Sequence, residues 1–403
     1  MDTALDPRRA ARAHLAAHGW IPRRAELFRH LPPPPAAAWL GEEGREDSGP
    51  PDCGWSLREV PGVPPGAAAL RWFDMAKPAQ RVRLMSAVPS PGDDDAAAFA
   101  WAHRALLRHA LRVRVGATAP GAAPTLLHLE HRGHGAVEAP LLLLELQAGA
   151  RCVLLETHAF APGAAVTQNL QLHVMLEEGA QLQHLRSVLP GAGDRVAHHV
   201  HARLEREAAY AQCLLATGGA YHLQRNVFEL KGEGASVATA GVLLAANGAL
   251  EQQVLARHAA PRTRSGIEML ALPGATAQVV ASAHTRIAAG CDDAQARQRL
   301  AGIPVAGQPR IVLRPHLEIH HDQVQAAHGA TWGALPEEAL FHARQRGIAE
   351  AQARALIVAG LARAVLARAI DDETLPAQMR LEEALSAALA RQFDLDPQEA
   401  GHG

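Results

Sequence analysis

Aromatic residues make up only 4% of this 403-residue chain. That excludes a core filled by rings and points to thin layers of small aliphatic side chains, as stacked strands or alanine-rich helices use. Cysteine is as scarce. The four thiols, Cys53, Cys152, Cys213 and Cys291, lie far apart with no Cys-x-x-Cys pair, which excludes a zinc knuckle or a local iron-sulfur ligand set and leaves isolated buried thiols. Neither charge dominates: 39 Lys and Arg stand against 41 Asp and Glu, for a net charge of −2. The basic excess of a nucleic-acid binder is missing, so no nucleic-acid partner is expected. No run approaches the length of an apolar membrane span, and Met1 to Asp6 carry no basic region leading into an apolar one, so neither membrane nor export is expected and the localisation should be cytoplasmic. There is no Gly-x-x-x-x-Gly-Lys-[Ser/Thr] loop, so the chain cannot hydrolyse ATP by that route, and no Gly-x-Ser-x-Gly elbow or His-Glu-x-x-His run.

What is present divides the chain into three parts. Residues 1 to 125 read as a helical region with a Gly/Pro-rich loop. Its first 30 residues are amphipathic with Leu15, Trp20, Leu27 and Phe28 as anchors, and Pro32 to Pro35 end that pattern. Gly41 to Gly66 is rich in Gly, Pro and acids and reads as a mobile loop. Asp93 to Asp95 can cap a helix from Ala96 to Leu111 whose Trp101, Leu106 and Leu107 face inward.

From about Leu126 the hydrophobic period becomes alternating, and a Gly-Ala corner recurs at Gly149, Gly163, Gly179, Gly234, Gly248 and Gly274. Gly149 to Gly179 is 30 residues and Gly248 to Gly274 is 26. A period of that size marks coils that bury their apolar faces by stacking. Residues 126 to 333 are therefore expected to form a right-handed parallel β-helix (a β-solenoid), making the fold mainly β with helical regions at both ends. A closed antiparallel barrel or a sandwich is the rival, since alternating strands with glycine turns occur there too. Helices at the two ends could cover the terminal coils.

Residues 334 to 403 read as a helical region: one helix from Pro336 to Arg346, a break at Gly347, and a second from Ala349 to Ile370. Their apolar face, including Leu340, Phe341, Ile348, Leu356 and Leu361, is wider than packing on one side requires, so a partner can take the remainder. Just upstream, a strand from Leu317 to Val324 would put Glu318, His320 and Asp322 on one face and stop at His328-Gly329-Ala330-Thr331. Among 23 histidines, the clusters His198-His199-x-His201 and His320-His321 invite a metal reading with N/O ligands. For His198 to His201 the expectation is a solvated row.

Several strings fall in a fixed order: His258-x-x-Pro261-x-x-x-Ser265, Asp293-Ala294-Gln295, Pro315-x-Leu317-Glu318-Ile319, His328-Gly329-Ala330-Thr331-x-Gly333, then Leu340-Phe341 and Arg344-x-Arg346-Gly347-Ile348. On these residues the chain resembles the SufB/SufD family of iron-sulfur cluster assembly proteins, closely over about residues 220 to 370. The Gly after His328 resembles SufD, whereas SufB usually has Glu there. The resemblance implies the same β-helix between helical regions. It also implies a non-catalytic scaffold subunit paired with a SufB-like subunit and driven by a SufC-like ATPase, with a cysteine desulfurase and sulfur carrier acting indirectly. A transient Fe-S cluster or iron would lie at the SufB interface, with His328 as its metal ligand beside Gly329 and Thr331, and Glu318, His320 and Asp322 as candidate accessory ligands. Leu340, Phe341, Arg346, Ile348, Leu356 and Leu361 are the candidates for binding SufC. A flavin bound by the complex is left open, and no nucleotide is expected on this chain.

The chain departs from the family pattern at Ala326, where relatives commonly carry Cys, at His321-Asp322-Gln323, and at Arg297, where Asn is common. A thiolate at position 326 is thereby excluded. Two other functions fit the sequence: a degenerate scaffold without cluster chemistry, and a solenoid enzyme acting on an extended polymer, against which the missing export signal counts.

Overall fold

A computed structural model describes residues 6–41, 54–58, 68–92, 94–133, 135–160, 165–369 and 375–395. Cys53, Asp93, the Gly163 corner and the expected helix end at Ile370 lie outside them, as does most of the stretch from Gly41 to Gly66. The strands are β1 (Trp55–Arg58), β2 (Ala68–Asp74), β3 (His109–Val115), β4 (Thr125–Arg132), β5 (Val137–Glu138), β6 (Leu141–Leu146), β7 (Arg151–Ala159), β8 (Thr167–Leu176), β9 (Gln181–Val188) and β10 (Arg195–Leu204). They continue as β11 (Ala209–Thr217), β12 (Tyr221–Leu230), β13 (Ser236–Ala245), β14 (Ala249–His258), β15 (Arg264–Pro273), β16 (Gln278–Ile287), β17 (Ala294–Gly302), β18 (Arg310–Ile319) and β19 (Val324–Trp332).

Sheet A runs β1-β4-β7-β9-β11-β13-β15-β17-β19 and sheet B runs β18-β16-β14-β12-β10-β8-β6-β3-β2, with β5 beside β8. Because the chain crosses from one sheet to the other at almost every strand, it winds a β-solenoid of about eight turns. All strand pairs are parallel except β1 with β4 and β2 with β3. That parallel pairing removes the barrel and the sandwich.

Strand pairing also reaches upstream of the change in period at Leu126. Trp55, inside the stretch read as a mobile loop, is buried on β1, and the helix expected to run to Leu111 ends at Leu106. There β3 begins, and pairing on both its edges outweighs local helical preference.

Alternation along each strand separates two environments. On sheet A the even residues of β7, Cys152 and Leu154, face the lumen core, while Val153 and Leu155 face outward to a second core. The corners explain the recurring Gly-Ala pair: Gly149 and Gly179 have φ of 68° and 66°, and Ala150 and Ala180 behind them are fully buried. Glu207, Arg262 and Asp293 hold equivalent corners with φ of 55°, 55° and 58°. A ladder of backbone bonds links these corners, Gly179 N to Arg206 O, Glu207 N to Glu233 O and Arg262 N to Asp292 O among them. The Asp293-Ala294 string is thus another corner of the same kind, with Ala294 buried.

Seven helices are described: α1 (Pro7–His18), α2 (Ala37–Leu40), α3 (Pro78–Met85), α4 (Ala97–Leu106), α5 (Glu337–Gln345), α6 (Glu350–Leu366) and α7 (Leu375–Phe393). They lie along the flanks of the solenoid and do not plug its ends. Val358, Ala362, Leu366, Leu385 and Leu389 of α6 and α7 pack on outward Leu185, Leu215 and Val242 of sheet A. Leu15, Trp39 and Phe99 from the N-terminal helices, with Phe28 from the 3-10 turn Glu26–Phe28, pack on outward Tyr221, Leu223 and Val280 of sheet B. Each sheet has an apolar outer face that water would otherwise meet, and the helices cover it.

Candidate functional site

The expected strand from Leu317 to Val324 does not exist as one element. β18 ends at Ile319, residues 320–323 turn, and β19 starts at Val324. Alternating residue types continue across the turn, so the pattern does not show the break; the turn is fixed instead by a corner bond from Asp293 N to Gln323 O. Glu318 and His320 do meet, with His320 Nε2 2.7 Å from Glu318 Oε1. His284 and Arg286 approach the same carboxylate at 3.4 and 3.3 Å. Asp322 is apart from them, almost fully exposed, with only His321 Nδ1 at 3.9 Å.

His328, Gly329 and Thr331 lie within β19, not at a strand end, and all three are exposed. The register places His328 opposite Gln298, on the same face as Ala326 and Ala330, which pack on cores inside the solenoid. His328 therefore belongs to the lumen-facing side of the last coil. Among the described residues no strand pairs with the outer edge of β18 or β19. Ile319 and Trp332 are also left exposed there.

The inward file ending at His328 runs back through Gln298, Ile267, Thr239 and Gln212 to His184. At its far end the lumen holds a polar cluster that strand-by-strand reading of the sequence misses. Glu156 accepts from Arg186 Nη2 at 2.8 Å, and His158 Nε2 and His184 Nε2 lie 2.6 and 2.9 Å from its two oxygens. His198 Nε2 contacts Gln168 Oε1 at 2.6 Å, and Arg186 Nη1 donates to Gln224 Oε1 at 3.0 Å. His198 is thus fully buried, and His199, on the outer face with His201, is buried against Phe99, which corrects the reading of His198 to His201 as a solvated row. The missed signal was parity: Glu156 and His158 share the parity of Cys152 and Leu154, on the face that must point inward.

Burial pushes the Glu156 carboxyl up, but the Arg186 charge and the bonds from His158 and His184 hold it well below the usual carboxylate range. Burial keeps His184 and His198 below the usual imidazole range. Glu156, His158 and His198 bring three ligand atoms within 4.8 Å of one another, a set that could hold a metal ion. Arg186 already fills that place. Its Nη2 lies between Glu156 Oε1 and His198 Nδ1, at 2.8 and 3.3 Å, and the side chain is fully buried there. A divalent ion beside it would leave excess buried positive charge, so these residues do not fit a resident metal.

Of the candidate partner contacts, Leu340 and Leu361 pack partly on the core beneath α6. Ile348 and Leu356 are half-buried, Arg346 is exposed and Phe341 points into solvent. Cys152, Cys213 and Cys291 are buried free thiols, and burial pushes the first two up to about 12. Among the described residues no helix is long and apolar enough to cross a membrane.

Residues 129–361 match the family model described as SUF system FeS cluster assembly, SufBD core domain. The chain is 28% identical over 207 residues, 48% of its own length and 50% of the relative's, to an iron-sulfur cluster assembly SufBD family protein of Mycobacterium bovis. It is 31% identical over 173 residues, 40% and 43% of the two lengths, to a SufBD family protein of Mycobacterium leprae. It is 41% identical over 66 residues, 16% and 15% of the two lengths, to the iron-sulfur cluster assembly protein SufD of Escherichia coli. The chain spans about half the length of the first curated relatives it matches.

Proposed function

The chain belongs to the SufBD family of iron-sulfur cluster assembly proteins, and we propose that within it the protein is a SufD-like scaffold subunit without catalysis of its own. The supporting observation is the contrast between a solenoid covered along both flanks and a last coil whose β18 and β19 edges are bare among the described residues, with His328 on its lumen side. A SufB-type subunit would pair with that coil, since free strand edges and exposed apolar groups such as Ile319 and Trp332 favour addition of a second solenoid. At the junction the His328 imidazole, exposed and free of a described partner, would ligate iron or the nascent cluster as cargo or move a proton during its assembly.

A SufC-type ATPase would dock on the exposed side of α5 and the start of α6, around Phe341, Arg346, Ile348 and Leu356. Closure of two such ATPase subunits would pull on these helices and shift the junction. Glu318 and His320 would be accessory ligands at the rim; Asp322 stands apart from them.

Co-expression with SufB- and SufC-type proteins and tagged purification tests the scaffold role: a stable complex is expected, and failure to form one rejects it. Within that complex, His328→Ala should lower cluster yield in reconstitution at unchanged assembly. A full yield would remove His328 from the chemistry while leaving the scaffold role standing.

A further inference from the structure

Both helical layers rest on apolar sheet faces, and both add polar contacts, as from Cys213 Sγ to Leu366 O and Gln392 Nε2 to Leu272 O on sheet A. On sheet B those contacts form a row running from β8 to β18. Asn169 Nδ2 donates to Phe99 O at 2.8 Å, Arg225 Nη2 to Asp94 Oδ2 at 2.6 Å, Gln253 Nε2 to Leu27 O at 3.1 Å and Arg314 Nη2 to Glu26 Oε1 at 3.0 Å. Gln278 donates to His30 O in the same row. Polar contacts of this kind are exchangeable with water, as at transient domain interfaces.

Glu251 sits in the middle of that row on β14, 1% exposed. Gln253 Nε2 donates to its Oε1 at 2.9 Å, while Oε2 has no hydrogen-bond partner among the described residues. The Tyr221 hydroxyl on the neighbouring strand is likewise buried without one. The charged groups facing this interface are otherwise engaged. On β12, Arg225 serves Asp94 and Gln253 Oε1. On β18, Arg314 serves Glu26. From the N-terminal side come Glu26, Arg29 and His30, and burial together with Arg314 and Arg29 lowers the His30 pKa. An ionised Glu251 would therefore be a buried charge with a single neutral donor. Burial pushes its carboxyl up to about 7, against the opposing pull of Gln253, Arg314 and Arg225.

We propose that Glu251 is a proton-dependent latch: with its carboxyl protonated the N-terminal helical layer closes fully on sheet B, and ionisation loosens that layer while the solenoid stays folded. The sign follows from linkage. A carboxyl whose pKa is higher in the docked state stabilises docking most at low pH, and the advantage is lost as pH rises from the ordinary carboxylate range towards 7. Each pH unit in that window weakens docking by about tenfold.

Hydrogen exchange of the full chain between pH 5.5 and 8, corrected for intrinsic rates, tests this. Protection of residues 7–40 should fall by more than tenfold between pH 5.5 and about 7 and then level off, while α6 and α7 stay constant. Glu251→Gln should keep protection high and flat, and Glu251→Met provides a second neutral side chain should the amide disturb folding. A flat profile in the unmodified chain overturns the proposal. So does an unchanged slope in the neutral variant.

Discussion

Trp55 and Trp332 stand at opposite ends of one inward file of sheet A. The register runs Trp55, His131, His158, Val188, Ala216, Leu243, Ala271, Gly302, Trp332. Trp55 is 1% exposed and Trp332 is 64% exposed. The strands that carry them cause the difference. β1 enters antiparallel and closes sheet A, and its indole lies edge-on to His131 and His158, with ring centres 5.0 and 5.7 Å away. β2 closes sheet B in the same sense. At the other end β18 and β19 continue the parallel winding, so the last coil offers the same edges that every earlier coil used to bind its successor. Among the described residues the outer edges of β1 and β2 are unpaired too, but their antiparallel entry breaks the winding, whereas β18 and β19 continue it to the last edge.

The contrast is broken most severely by acid. Burial holds His103, His222 and His258 near 4 and His173 near 3, whereas the histidines of the open end, His320 and His328, are exposed. A histidine whose pKa is lowered by folding loses stability as pH falls below its unfolded value. Each contributes a slope of up to about 1.4 kcal/mol per pH unit below about 6.5, until its folded value is reached. Glu156, held low, adds its own loss at more acid pH, on the descent below the ordinary carboxylate range. Urea unfolding followed by circular dichroism should show stability falling by several kcal/mol between pH 6.5 and 4.5. A chain equally stable at both would mean that these imidazoles are not buried neutral.

A smaller break is local to the sealed end. Trp55→Ala would leave a cavity above His131 and His158 and should cost about 3–5 kcal/mol in urea unfolding at neutral pH. A cost under about 1 kcal/mol would show that β1 does not seal the lumen.

Much of this architecture is legible in the sequence, and the reasons are local. A corner at Gly149 or Gly179 needs φ above zero, so glycine marks it, and the small Ala behind it marks the tight packing inside. The same corner at Asp293 is hidden, because a non-glycine residue takes the left-handed conformation there. The lumen cluster is hidden for another reason. Glu156 and His158 on β7, and His184 and Arg186 on β9, read as two separate polar pairs along the sequence, and only stacking of coils makes the pairs neighbours. His198 joins them from the opposite sheet, a relation that no spacing along one strand encodes. The solenoid's period likewise predicts covering helices without saying which surface they cover. That is decided by the outward aliphatic files of sheet A and the mixed files of sheet B.

The mildest change in stability carries the sharpest comparison. Trp332 has lost little water in the isolated chain, so Trp332→Ala should shift stability by no more than about 0.5 kcal/mol. Should a second SufBD-type chain extend the solenoid here, the same indole becomes a large, rigid apolar anchor between two coils. Removing such an anchor typically costs 2 kcal/mol or more of binding, roughly a thirtyfold loss of affinity. Sedimentation or calorimetry of the variant mixed with a SufB-type protein, set beside urea unfolding of the variant alone, reads both quantities. Weakened pairing at unchanged stability would make the two tryptophans equivalent closures of one file, the first supplied by this chain's own β1 and the second by a partner. Unchanged pairing would mean that the contact lies elsewhere on the last coil, and a large loss of stability would mean that Trp332 already serves the monomer as Trp55 does.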